Sequence, residues 1–239
     1  MSSIMTNVAA MTALKTLQQT NKALETTQSR ISTGYKVNDA ADNAAYWSIA
    51  TTMRSDNKAL GTVQDALGLG SAKVDVAYTG MNAAIKVVHE IKTKLVAARE
   101  PGVDRSKVQE EITQLQNQLV SITTAAAFSG ENWLSVDSGD AAYSATKSIV
   151  ASFNRSSAGT VSVSTVDIDI SSTELFDAAD QSGILDTTFT TTGAGAATVS
   201  VSDLDITAAG IDNTDIDDMI SNVDGALASM STAAATLGA

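Results

Sequence analysis

A seven-residue repeat of apolar side chains runs through residues 53–95, MRSDNKALGTVQDALGLGSAKVDVAYTGMNAAIKVVHEIKTKL. The position three residues further along is also mostly small or apolar, and charged residues occupy the other faces. This pattern predicts an α-helix whose apolar stripe packs against partner helices. From about residue 43 to about residue 100 the helix would be about 85 Å long, which is too long for the core of a compact globule. The stripe residues that we assign to packing in this rod are Met53, Leu60, Leu67, Val74, Met81, Val88 and Leu95.

Two later stretches have the same spacing and predict helices that pack on the first one. Pro101-Gly102 ends the long helix, and Asp104 or Ser106 is placed to cap the next. The apolar residues of that second helix are Val108, Ile112, Leu115, Leu119 and Ile122. The third stretch has an acidic first turn, followed by Ile216, Ile220, Val223, Leu227, Met230, Ala234 and Leu237. We therefore predict a mainly α fold of long antiparallel coiled-coil helices, with a small β region.

The N-terminal stretch predicts a weaker helix, from about Ile4 to Ser32. It is rich in threonine and glutamine and only thinly apolar, so this helix would be marginally stable alone in water. We expect it to fold on an external surface. The residues that we assign to self-assembly are Ile4, Val8, Met11, Leu14, Leu17, Leu24, Arg30, Ile31 and Gly34.

Between residues 128 and 210 the apolar period changes to two, which predicts β-strands. The sequence TVSVS occurs at 160–164 and again at 198–202, which predicts a pseudo-symmetric pair of strands with a bulge at Ser164-Thr165. Aspartates follow both copies and could be calcium ligands. They alternate with apolar residues, however, as on the solvent face of a half-buried strand, and we favour that interpretation.

The composition argues against most catalytic and nucleic-acid functions. The 239 residues contain no cysteine and one histidine, His89, which excludes disulfides, thiolate nucleophiles and histidine clusters. A net charge of −12 disfavours binding to nucleic acids or anionic membranes. The carboxylates have no base or glycine-rich phosphate loop beside them, so we predict no enzyme, cofactor or metal site. Neither a membrane-spanning segment nor a secretory signal peptide is recognisable.

Several motifs occur in a fixed order along the first part of the chain. They are Thr6-Asn7, TQSRISTG at 27–34, VNDAADNAA at 37–45 and FSGEN at 128–132. Together they resemble the N-terminal signature of bacterial flagellins. YWSIA at 46–50 and MRSD at 53–56 are similar to flagellins of α-proteobacteria of the rhizobial type. The resemblance spans about residues 1–137, and residues 211–239 resemble the start of the family's C-terminal helical region.

The resemblance implies a structural subunit that self-assembles into the bacterial flagellar filament for swimming motility. It implies a filament-core helix at 1–36, long heptad helices and the start of a rod domain at 37–137, a β-rich outer region at 138–210 and a C-terminal rod helix at 211–239. Flagellins leave the cell through the flagellum's own type III export apparatus, so the expected location is the extracellular flagellum. Further expected partners are copies of the chain, sister flagellins, a flagellin chaperone, the filament cap and hook-associated proteins.

The sequence departs from the family pattern in two ways. Flagellins continue beyond the equivalent of Ala239, so we expect the natural polypeptide to be longer and the last helix to be truncated here. Flagellins sensed by the vertebrate Toll-like receptor carry a Leu-Gln-Arg run where this chain has Ile85-Lys86-Val87. Glu111 matches an acidic family position on the neighbouring helix. Since lysine cannot copy the bidentate bonds of arginine, the resemblance implies weak receptor activation.

Two other functions remain open for this sequence. A hook–filament junction protein would share the terminal helices but would be present in few copies, whereas a filament subunit should dominate sheared surface appendages. A secreted coiled-coil adhesin would bind host surfaces through the β region. Deletion of that region would then abolish attachment and leave motility intact.

Overall fold

The computed structural model of the chain describes residues 7–238. Within this range the chain forms four α-helices and short strands, which confirms the predicted mainly α fold with a small β region. Ile4, which the sequence analysis assigns to the first helix, lies outside the described residues. The helices are α1 (Val8–Thr33), α2 (Ala44–Ala98), α3 (Arg105–Ala125) and α4 (Asn213–Gly238).

Side chains at the helix ends explain where the helices begin and stop. Asn7 caps α1, because its side-chain oxygen accepts a hydrogen bond of 3.2 Å from the N–H three residues on. Asn43 does the same for α2 at 3.1 Å, and Asp104 caps α3, as the sequence predicts. Gly34 ends α1 with φ of 72°, a left-handed conformation that a side chain would strain.

The described chain divides into two units, residues 7–62 and 63–238, with the boundary inside α2. The first unit contains α1, the connecting segment 34–43 and the first part of α2. The second contains the rest of α2, α3, the strands and α4. This boundary lies later in the chain than the junction at 36/37 that the resemblance implies between the core helix and the rod.

The second unit has a closed hydrophobic core in which α3 and α4 both run antiparallel to α2. Gly80 of α2 lies beside Ala126 at the end of α3, and Lys94 lies beside Glu111 near its start. Lys92 of α2 lies beside Asp224 of α4, and Arg99, just after α2, lies beside the earlier residue Asp217. The buried residues of α2 are spaced by threes and fours, as in the predicted stripe. They are Gly70, Ala77, Gly80, Met81, Ala84, Val87, Val88, Ile91, Leu95 and Ala98.

Within the described range the strands form four two-stranded sheets. The antiparallel pairs are β1 (Ala127–Phe128) with β2 (Glu131–Asn132), β4 (Thr146–Arg155) with β5 (Val161–Asp169), and β7 (Phe189–Thr190) with β8 (Thr198–Val199). The parallel pair is β3 (Ser135–Val136) with β6 (Phe176–Asp177). A short 3-10 helix, Val201–Asp203, follows β8.

The predicted pairing of the two TVSVS segments is wrong. The first copy lies in β5 and pairs with β4, whereas the second copy forms β8 and then enters the 3-10 helix. The register shift lies between Val150 and Ser152 of β4, opposite the predicted bulge, so the extra residue belongs to the partner strand. The two copies differ because Val199 and Val201 are buried in the core, while the valines at the start of β5 remain exposed.

Candidate assembly surface

Helix α1 exposes apolar side chains that the chain itself does not cover. It has no buried residue, although a surface helix of a globular protein normally buries one apolar stripe. Arg30 and Gly34, which the sequence analysis assigns to self-assembly, are exposed as well. The apolar side chains that are 56–78% exposed are Val8, Met11, Leu14, Leu17, Leu24 and Ile31.

Threonines occupy much of the remaining surface of α1, and their hydroxyl groups are turned back onto the helix. Each hydroxyl donates a hydrogen bond of 2.8–3.0 Å to the carbonyl oxygen four residues earlier. The methyl group is then the outer part of the side chain. The residues with this geometry are Thr12, Thr16, Thr20, Thr26, Thr27 and Thr33.

The first part of α2 carries a second exposed apolar stripe. Its residues are spaced by three, four and seven positions, which places them on one face of the helix. Leu67, in the second unit, continues the spacing and is also exposed, and the stripe becomes half-buried at Val74. The stripe residues of the first unit are 46–67% exposed and comprise Tyr46, Ile49, Met53 and Leu60.

Charged contacts fix the segment that joins α1 to α2. An Arg30 guanidinium nitrogen lies 4.0 Å from one carboxylate oxygen of Asp42. The other oxygen accepts a hydrogen bond of 3.1 Å from the Asn38 N–H. The Arg54 guanidinium lies 4.2 Å from the centre of the Tyr35 ring, in a cation–π contact. Arg30 therefore has a structural role within the first unit in addition to its exposure on α1.

The predicted rod-packing residues fall into three groups by burial. Met53, Leu60 and Leu67 are exposed. Val74, Leu115 and Ile220 are half-buried at the edge of the core. The buried ones are Met81, Val88, Leu95, Ile112, Leu119 and Leu227. The second unit thus covers its helical stripes beyond Val74, whereas Leu67 and the stripe of the first unit remain exposed.

Ion pairs connect α2, and Arg99 just after it, to α3 and α4 in the second unit. Lys94 lies 2.5 Å from Glu111 of α3. Arg99 and Lys92 lie 2.7 Å and 2.5 Å from acidic side chains of α4. These pairs are partly exposed, so each contributes about 1 kcal/mol or less, and they favour one register of the helices more than they add stability.

The three residues proposed to correspond to the receptor-binding run, Ile85-Lys86-Val87, differ in their burial. Ile85 is half-buried and Lys86 is exposed. Val87, which the resemblance alone aligns with the family arginine, is only 5% exposed and belongs to the core cluster. Glu111 is exposed, and its carboxylate is engaged by Lys94.

Sequence reasoning missed a cluster of contacts that holds the loop 191–195 on the start of α4. The Asp215 carboxylate accepts hydrogen bonds of 3.0 Å from the N–H groups of Asp212 and Gly195. The bond from Asp212, then the Thr191 side chain and the bond from Gly195, lower the pKa of Asp215 to about 2, although its burial opposes the shift. Asp218 accepts bonds of 2.6 Å and 2.7 Å from the N–H and hydroxyl of Thr192.

The glycines of this loop, Gly193 and Gly195, could have indicated from the sequence that the loop packs closely on the start of α4. A Cβ at Gly193 would lie 2.5 Å from the Asp215 carboxylate, and one at Gly195 would lie 2.9 Å from Ile211. From the sequence, the aspartates of this turn were interpreted only as favourable charges at a helix N-terminus. Two glycines in a loop, followed later by a dense acidic turn, are typical of a backbone that approaches carboxylates closely.

The described residues show neither a membrane helix nor a metal centre. None of the helices in residues 7–238 combines the length and the apolar character needed to span a bilayer. Over the same residues no group of three acidic or histidine side chains is arranged to hold a metal ion. Asp167 and Asp169 are exposed and accept hydrogen bonds from Ser148 and Ser171, on the solvent side of their strand.

Comparisons with known proteins agree with these features. The family model described as bacterial flagellin N-terminal helical region matches residues 4–138. Flagellin A and flagellin B of Rhizobium meliloti are 57% and 58% identical over 195 residues, covering 81% of this chain and 49% of each relative. Flagellin C of Rhizobium meliloti strain 1021 is 52% identical over 255 residues, covering 100% of this chain and 79% of the relative. The chain spans about half the length of the first two relatives. From its family match and these identities, the chain belongs to the bacterial flagellins.

Proposed function

We propose that the chain is a structural subunit of a flagellar filament, with copies of itself and sister flagellins as its partners and no catalytic role. The observation that carries the proposal is the contrast between the two units. From Ala77 onward the second unit buries its heptad stripes, whereas α1 has no buried residue and the stripe at the start of α2 is exposed. Membership of the flagellin family supports a polymer as the environment in which those surfaces become buried.

The energetic argument favours burial between molecules. A large apolar side chain contributes about 1.5–3 kcal/mol when it moves from water to a packed interface. The first unit exposes ten such side chains on its two described helices, in addition to Tyr35 of the connecting segment. Heterologous contacts between identical subunits generate an open helical polymer when the rotation does not close, so the same surfaces can build a filament.

The proposed location and remaining partners follow from the family. A filament subunit works outside the cell, after export through the flagellar type III apparatus. A chaperone would cover the exposed apolar surfaces before export, and the filament cap and hook-associated proteins would contact the growing and basal ends. As a filament subunit, the chain should be the dominant protein in sheared surface appendages, which a junction protein would not be.

A pair of substitutions in α1 tests assembly directly. We expect Leu17→Ser combined with Leu24→Ser to raise the critical concentration for polymerisation about tenfold or more, because both leucines would lose burial between subunits. Their exposures of 58% and 57% predict little change in the free energy of unfolding of the monomer. The matched control is Gln19→Ser, an exposed polar position of the same helix.

Polymerisation is followed by light scattering and electron microscopy after seeding with short filament fragments from the cells that make the protein. The control should polymerise like the unaltered chain. Equal critical concentrations for the double variant and the unaltered chain would contradict the proposal, as would an unaltered chain that stays monomeric on the seeds.

A further inference from the structure

The methionines of the described chain separate into two classes by exposure. Met11 of α1 and Met53 of α2 are 63% and 66% exposed. Met81, Met219 and Met230 are fully buried in the core of the second unit. The chain has no cysteine, so its sulfur chemistry is that of methionine.

Both exposed methionines lie within the apolar surfaces of the first unit. Met11 lies between Val8 and Leu14, each three residues away along α1. Met53 lies seven residues before Leu60, on the stripe of α2. Each of the two exposed surfaces therefore contains one thioether group that solvent reaches in the free chain.

We propose that Met11 and Met53 are oxidation sites at which a hydroperoxide prevents the free subunit from assembling. The proposal rests on the filament function above. The thioether sulfur attacks the terminal peroxide oxygen, the O–O bond breaks and an S=O bond forms. Sulfur is oxidised by two electrons, and the peroxide is reduced to water, or to an alcohol when it is an organic hydroperoxide.

The change in polarity explains why assembly would fail. Methionine is a flexible apolar side chain suited to packed interfaces, and its sulfoxide is a polar group with a strong hydrogen-bond acceptor. The stripe residues beside the two methionines, Val8 and Leu14 for Met11 and Ile49 and Leu60 for Met53, are apolar and have no side-chain donor. A sulfoxide enclosed there would lose its hydrogen bonds to water without replacement.

The first test maps the reactivity of each methionine. The purified monomer is treated with hydrogen peroxide, and sulfoxide formation is followed by peptide mass spectrometry. Met11 and Met53 should oxidise at least about tenfold faster than Met81, Met219 and Met230, because reactivity follows exposure. Equal rates at exposed and buried positions would overturn the proposal.

The second test links oxidation to assembly. Peroxide treatment should raise the critical concentration of the unaltered chain about tenfold. The Met11→Leu, Met53→Leu double variant should polymerise both before and after treatment, since leucine preserves apolar volume. The control Met219→Leu, Met230→Leu retains both exposed sulfurs and should still be inactivated. Met1 and Met5 are present in every variant, so an effect of their oxidation would appear in all.

The outcomes separate this proposal from the filament function. Untreated chain that fails to polymerise would contradict the filament function itself. Untreated and oxidised chains that polymerise equally would contradict only the role of the methionines. Inactivation of the Met11→Leu, Met53→Leu variant by peroxide would also contradict that role, because the loss would then arise at another residue.

Discussion

At the residue scale, two glycines of α2 have opposite surroundings. A Cβ at Gly80 would lie 2.8 Å from both Ala126 and Leu134, whereas one at Gly68 would meet no atom within 4 Å. We expect Gly80→Ala to lower the free energy of unfolding by about 1–3 kcal/mol through overpacking. Gly68→Ala, the control, should raise it by up to about 1 kcal/mol, since alanine favours the helix. Urea unfolding of the monomer measures both, and a neutral Gly80→Ala would contradict the close packing.

Asp215 makes stability depend on pH in a defined direction. Its pKa is lowered to about 2, so its ionised form stabilises the fold above the pKa of an unfolded aspartate, about 3.9, and this contribution disappears as the pH falls toward 2. Asp215→Asn should therefore flatten the loss of stability between pH 4 and 2. The control Asp203→Asn alters an exposed aspartate. Unfolding free energies at several pH values test this, and parallel curves for Asp215→Asn and the unaltered chain would exclude the carboxylate as the cause.

Val87 determines the expected response of the vertebrate Toll-like receptor. Val87 is 5% exposed and has no guanidinium group to bind a receptor carboxylate through two hydrogen bonds. The neighbouring Lys86 is exposed and presents a single ammonium group instead. Purified monomer should therefore give a weak signal in receptor-expressing reporter cells, compared at equal concentration with a flagellin that carries the Leu-Gln-Arg run. A signal of equal strength would show that these positions do not control recognition.

At the element scale, exchange of amide hydrogens should distinguish α1 from the second half of α2. Helix α1 has no buried side chain, while residues 77–98 of α2 lie in the core. In the monomer, the amides of α1 should exchange much faster than those of residues 81–95, since local opening of α1 costs no packing. Polymerisation should then protect α1 selectively. Slow exchange of α1 in the monomer would mean that this helix is already stabilised within a single chain.

The helices and strands differ in how far the sequence alone predicts them. The heptad stripe, the Asn and Asp caps and Gly34 locate the helices to within a few residues, because these signals are local. The strand β4 was missed because Ile149, Val150 and Ala151, next to and at the bulge, are three apolar residues in a row and break the alternation. The prediction for the second TVSVS copy was wrong for a different reason. Burial of Val199 and Val201 in the core outweighs the local preference of this segment for an extended strand.

The exposed stripes show the same limit at the candidate assembly surface. The repeat predicts that Met53 and Leu60 face a partner helix, but spacing alone does not show whether the partner belongs to the same molecule. Only the burial of Met81 and Val88, beside the exposure of Met53 and Leu60, distinguishes the covered part of the stripe from the bare part.

At the scale of the whole molecule, charge should control the onset of assembly. Residues 63–239 carry 9 basic and 23 acidic residues, and the chain has a net charge of −12. Subunits therefore repel one another, and salt shortens the range of this repulsion from about 30 Å at 10 mM to about 8 Å at 150 mM. The critical concentration should fall over this range. A critical concentration that rises with salt would show that attractive charge pairs between subunits dominate instead.

The threonines of α1, whose hydroxyl groups donate to the carbonyl four residues earlier, suit a helix that is exposed to water in the free chain and enclosed in a polymer. An exposed helix rich in leucine alone would invite aggregation, and one rich in lysine or glutamine would strand charges or amides when enclosed. A threonine whose hydroxyl already bonds the preceding turn avoids both outcomes. The oxygen can accept from water while the chain is dispersed, and no donor is left unmatched when water is expelled. The same helix surface can thus pass from wet to dry without rearranging its side chains.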